Sequence, residues 1–199
     1  MSSQANSMSE LVGVTTPARP ESSMPHRILI VVGFVVGAVL GFGGGFLPSG
    51  PPQNIVYALS SLGIIMGSTL FVAWFARQGK SIVAVGFALL ALAESISLSG
   101  LFLLASAPTF SGASASFAAG VALYAVALPL ASVPPAFPLW NRIVGVLTAI
   151  PFAAHALLWL LGRSPAPSGP LASIGYVLLI VTIIGWIITV LRAAPSSQR

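Results

Sequence analysis

The sequence predicts an all-α, polytopic membrane protein: a bundle of six transmembrane helices with both termini in the cytoplasm. Three observations predict it. Of the 199 residues, 56% are hydrophobic and only 6% are charged, with a mean hydropathy of +1.00. A soluble domain hydrates its surface with about 25% charged residues, so most of this chain's surface belongs in lipid. Six apolar runs of spanning length follow one another between turn-like separators. The basic residues fall on alternate separators.

The runs cover 28–47, 55–76, 81–106, 116–137, 142–162 and 171–192. Each reaches the roughly 17–25 residues that cross about 30 Å of hydrocarbon. Between them lie Pro48-Ser49-Gly50-Pro51-Pro52, Arg77-Gln78-Gly79-Lys80, Ala107 to Ala113, Pro138 to Asn141 and Arg163 to Pro170, all rich in residues that stop or turn a helix. Residues 1–27 are Ser-rich, carry Pro17, Pro20 and Pro25 and lack apolar periodicity, which predicts a disordered cytoplasmic tail. That stretch is longer than the charged leader of a signal peptide, so the first run reads as an uncleaved helix. The domain organisation is then a six-helix transmembrane domain over 28–192 and a second short tail over 193–199.

Orientation follows from the bases. With the N-terminus inside, Arg19, Arg27, Arg77, Lys80, Arg142, Arg192 and Arg199 are cytoplasmic, and Arg163 alone is outside. This is the positive-inside pattern, and it holds only for an even number of spans. Trp74, Trp140 and Trp159 lie near run ends, where the amphipathic indole prefers the headgroup layer. The bias to Arg, Gly and Ala suits a GC-rich bacterial genome, and the expected location is a bacterial inner (plasma) membrane.

Composition also excludes function classes. The sequence pI of 10.9 comes from singly scattered bases with no cluster to track phosphates, so no nucleic-acid partner is expected. No cysteine is present, which removes disulfide, thiol and iron–sulfur chemistry. With one deep histidine and no HExxH pattern, no metal site is expected. Gly41-Phe42-Gly43-Gly44-Gly45 sits at the end of a spanning run, the wrong context for a phosphate loop. No cofactor is implied.

Small residues predict the packing. Gly33, Gly37, Gly41 and Gly45 recur every four positions in helix 1, and Gly63 and Gly67 add one step in helix 2. Such stripes let backbones approach closely where lipid supplies no hydrophobic drive. The stripe in helix 1 packs either on a neighbouring helix of the same chain or on a membrane-protein partner such as a second copy. Weak internal similarity (55–63 with 143–151, 86–90 with 175–179) hints at a three-plus-three inverted duplication, a plan used by transporters.

Glu94 is the only acidic residue outside the N-terminal tail, and it sits mid-run. A carboxylate there costs a few kcal/mol or more to insert, so such residues mark proton and ion pathways by default. The alternative is a neutral acid that hydrogen-bonds two helices together. His155 lies at about the same depth, some 20 Å from the cytoplasmic end at 1.5 Å per residue, so a Glu94–His155 pair is one arrangement. A neutral histidine bonded to a nearby hydroxyl is the other. Ser97 stands one turn from Glu94, Ser60, Ser61 and Tyr124 fall near its level, and Thr148 shares a face with His155. Pro151 and Pro129 free the carbonyls of Leu147 and Ala125. These groups predict either a small polar cavity in the outer half or hydroxyls bonded back to their own helices.

Ser97-Leu98-Ser99-Gly100 with His155 resembles the Gly-x-Ser-Gly motif and Ser–His dyad of the rhomboid intramembrane proteases, also six-helix proteins. The resemblance implies Ser99 as nucleophile and His155 as its base. It covers four residues: Ser97 replaces the motif's first glycine, and the family's helix-borne His and Asn and its Trp-Arg loop have no counterpart. The leading expectation is therefore not an enzyme but a small transporter or channel-like protein with Glu94 as its protonatable centre. The alternative is a non-catalytic scaffold or accessory subunit packing through helix 1.

Overall fold

The computed structural model describes residues 24–106, 110–163 and 169–192, without the side chains of 110–113. The expected tails, 1–23 and 193–199, lie outside these residues. Six α-helices follow in order: α1 Met24–Gly44, α2 Pro51–Arg77, α3 Ser81–Ser106, α4 Phe110–Ser132, α5 Leu139–Leu160 and α6 Pro170–Arg192. All six are long and apolar enough to cross a membrane, and the described residues contain no strand.

The helix ends differ from the apolar runs where proline or glycine decides them. α1 starts at Met24 rather than 28, so the last four residues of the expected tail are helical; Pro25 stands in its first turn, where a fixed φ helps and no N–H is needed. α2 begins at Pro51 rather than 55, with both prolines at its first positions, behind Gly50 at φ 144°. α4 stops at Ser132, not 137, because Pro134-Pro135 cannot continue it.

Each helix packs on its neighbours in sequence, and α1 closes the ring against α6. The pairs are antiparallel, as their contacts show. A Cβ on Gly33 would lie 2.8 Å from the Gly67 nitrogen, while one on Gly37 would lie 3.2 Å from the Ser60 carbonyl. Gly175 likewise meets Phe152 and Gly185 meets Asn141. Arg27, Arg77, Lys80, Arg142 and Arg192 therefore come to one end of the ring, the basic end, and Arg163 to the other.

Gly33, Gly37 and Gly41 are buried, the first two on Gly63, Ile64 and Gly67 of α2. Within this chain α2 covers that face. Gly45 is a correction: it lies past the end of α1 in a turn, and Gly44 is buried instead, against the Tyr57 ring. A strict four-residue stripe drifts by about 40° per step on a 3.6-residue helix, so the fourth contact falls three residues on.

The interior of the basic half is filled by rings. Phe34, Phe71, Phe87 and Trp186 are fully buried, with centroids 4.5 Å apart for Phe71–Phe87, 4.8 Å for Phe87–Trp186 and 5.3 Å for Phe34–Phe71. Phe75 stacks on Phe87, and Phe137 from the α4–α5 connection completes the plug. Such offset and edge contacts add about 0.5–1.5 kcal/mol per pair beyond the area they bury. Trp74 belongs to this plug and not to the lipid-facing surface: it is buried and stacks on Phe71 at 5.4 Å. It follows Phe71 by three residues, which puts both on the inner face of α2. Trp140, by contrast, is exposed.

Candidate functional site

The other half of the ring interior holds Glu94 and hydroxyl groups among apolar side chains such as Phe152 and Leu179, while Ser132 and Asn141 are buried toward the basic end. On α3 the inward face runs Phe87, Leu90, Ala93 and Glu94, so the helical period that buries the aromatic plug also carries Glu94 inside, two turns further on. Glu94 is 6% exposed. The Tyr124 hydroxyl of α4 donates to its Oε1, and Ser61 of α2 is a second hydroxyl beside the carboxyl. Phe152 of α5 braces the Tyr124 ring at 5.1 Å between centroids.

A second layer lies beside the first. Ser60 Oγ donates to the Gly37 carbonyl of α1 at 2.6 Å, and the Tyr176 hydroxyl of α6 lies beside it against Gly41. Gly41 leaves the room for that hydroxyl, since a Cβ there would lie 2.8 Å from Ser60 Oγ and overlap the tyrosine. Tyr57 lies near Tyr176, against Gly44. Five of the six helices thus supply a polar group to one interior cluster, and α5 supplies the aromatic brace.

The sequence-predicted residues divide accordingly. Glu94, Tyr124, Ser61 and Ser60 come together. Ser97 does not join them: its hydroxyl bonds the Ala93 carbonyl of its own helix at 3.0 Å. Thr148 bonds the Val144 carbonyl at 2.7 Å and pairs with Thr182 of α6 at 3.1 Å. His155 is buried on α5 but is not among the hydrogen-bond partners of Glu94. Ser99 is exposed and bonds the Ile96 carbonyl; α3 does not pack on α5, and the Ser99–His155 dyad is not assembled. The sequence reading missed Tyr176 and Tyr57. Their signal was present: both stand near the non-basic ends of their helices, at the level of Gly41 and Gly44.

Chemically, the cluster suits a proton or a small hard cation. An unpaired carboxylate in a low-dielectric interior is costly, and no cationic side chain neighbours Glu94 among the described residues. Its neighbours are hydroxyls, which donate to a carboxylate and, by rotating, accept from a carboxylic acid. They also offer the oxygen ligands a hard cation prefers. No group of three or more His, Cys, Asp or Glu comes together among the described residues.

No protein-family model, curated protein or solved structure matches this chain. The functional reading therefore rests on the site's own chemistry.

Proposed function

We propose that this six-helix membrane protein is a small transporter or channel-like protein that moves protons or a small cation, with Glu94 as the exchanging group and no catalytic step. One observation carries the reading: a lone carboxyl in the ring interior, surrounded by hydroxyls rather than cations. Intramembrane acids facing a bundle interior mark ion and proton pathways. Tyr124 and Ser61 serve both states of the group, donating to the carboxylate and accepting from the acid. The tyrosines Tyr176 and Tyr57 lead from this cluster toward the non-basic end. The aromatic plug closes the basic half, so release on that side requires the rings to move. That gate favours a transporter over an open pore. The basic end faces the cytoplasm of a bacterial inner membrane in this reading, and both termini lie there.

Purified protein in liposomes loaded with a pH-sensitive dye tests it. Under an imposed potential, proton entry should exceed that of protein-free vesicles, and Glu94→Gln should lower it at least about tenfold, as expected when the exchanging carboxyl of an ion pathway is removed. Adding sodium or lithium distinguishes a carried cation from a proton. Equal flux through wild type and Glu94→Gln would sink the reading.

A further inference from the structure

Hydroxyls stand in order between the non-basic end of the ring and Glu94. α1 ends on that side at Gly44, and the Tyr57 ring of α2 lies against it. One turn inward, the Tyr176 hydroxyl of α6 and Ser60 Oγ of α2 both lie against Gly41. Ser61 follows Ser60 and stands beside the carboxyl. Tyr57 and Tyr176 are half-buried, whereas Ser60 and Ser61 are buried, so the series leads inward from the surface. Its narrow point is at Gly41. A methyl group there would lie 2.8 Å from Ser60 Oγ and 3.0 Å from Cε1 of Tyr176, and would overlap the tyrosine hydroxyl. Ser60 Oγ is itself tied to α1, donating to the Gly37 carbonyl at 2.6 Å. Three helices therefore close on this point, and oxygen atoms fill it.

We infer that this half of the path is a proton relay through hydroxyls, in which Tyr176 passes the proton beyond Gly41 and excludes metal cations there. The inference rests on the reading of Glu94 as the exchanging group, and it narrows the carried species to the proton. A hydroxyl accepts a proton on a lone pair while it gives up the one it holds. A proton arriving at the tyrosines thus leaves water on the non-basic side, and an O–H bond forms on the Glu94 carboxylate. Each hydroxyl between them ends with the single proton it began with. A sodium ion has no such route. It must push Tyr176 out of a gap too small for a methyl group, and the width and lining groups of a passage set its selectivity. Tyr176 is a half-buried tyrosine whose hydroxyl turns inward because glycine, not a larger residue, stands at position 41.

The full chain in liposomes tests it, with dye-reported proton entry and uptake of radioactive sodium measured on the same vesicles. Wild type should carry protons and take up no more sodium than protein-free vesicles. Tyr176→Phe keeps the ring and removes the hydroxyl. It should lower proton entry at least about tenfold, a modest share of the roughly 10²–10⁴ that a positioned proton-transfer group contributes. Tyr176→Ala opens the gap to water, so proton entry should recover above the Tyr176→Phe level and sodium should enter. That sodium uptake should vanish when Glu94→Gln is added, which a leak around a loosened bundle would not do. Sodium uptake by wild type, or a Tyr176→Ala variant closed to sodium, overturns the exclusion at Gly41. Tyr176→Phe carrying protons as fast as wild type, while Glu94→Gln does not, overturns the relay and leaves the Glu94 reading standing. Wild type with no proton entry above protein-free vesicles removes both.

Discussion

Gly63→Val is expected to destabilise the bundle by about 3 kcal/mol, at the upper end of what overpacking costs. Gly63 and Gly33 face each other across the α1–α2 contact, and the clash is reciprocal. A Cβ on Gly63 would lie 2.7 Å from the Gly33 carbonyl oxygen and 2.8 Å from the Gly37 nitrogen. Both are backbone atoms, so no side chain can swing away to relieve the overlap. The helices must separate, and dispersion between close backbones is what holds spanning helices together. Separation also pulls Ser60 from the Gly37 carbonyl, which it bonds at 2.6 Å. Gly43→Val is the control, because a Cβ there meets nothing within 4 Å; it should shift stability by no more than about 1 kcal/mol, the propensity difference. Equilibrium unfolding in mixed micelles measures both. A Gly63→Val variant as stable as Gly43→Val would mean that α1 and α2 do not make this contact.

How much of this was legible beforehand differs by residue. The number of spans follows from run length, and short connections leave antiparallel neighbours as the simple outcome; the closure of α1 on α6 comes from the structure. The inward position of Glu94 was readable from the small residues around it, because Gly86, Ala93 and Gly100 turn one face of α3 toward other helices. Its partner was not. Glu94 and His155 share a depth, but depth fixes only one coordinate, and the ring order places α4 rather than α5 beside α3. Tyr124 therefore reaches the carboxyl first. Thr148 was lost for a related reason: a threonine on α6, Thr182, stands opposite it and takes its hydroxyl. The indoles show the same limit. Closeness to a helix end suggested headgroups for Trp74, yet facing direction decided, and Trp74 turns inward with Phe71. Hydropathy reports how deep a residue lies; which neighbour it meets is set by rotation of each helix, which six nearly uniform apolar runs barely encode.

Glu94→Ala is expected to cost about 3 kcal/mol, while Glu94→Gln costs under about 1 kcal/mol, and the difference separates a structural acid from a functional one. Alanine removes the acceptor of the buried Tyr124 hydroxyl and leaves space where the side chain stood; an orphaned buried donor costs about 1–3 kcal/mol, and the cavity adds to it. Ser61 suffers less, since a helical serine can turn back to a carbonyl one turn earlier. Glutamine keeps an acceptor for Tyr124, and its amide donates to the same hydroxyls. The decisive variant is the double substitution Glu94→Leu with Tyr124→Phe. It removes donor and acceptor together and fills their space with carbon, an exchange that is often neutral or stabilising. Its stability should return to within about 1 kcal/mol of wild type, whereas the two single costs would sum to more. Unfolding of all four proteins in mixed micelles closes the cycle. If the double variant is as unstable as the sum, Glu94 and Tyr124 act independently and the hydrogen bond is not their link. If it is stable but carries no protons, the bundle has no structural need of the acid. A buried carboxyl that the fold can do without, at a depth where apolar side chains are cheaper, is held there by what it carries.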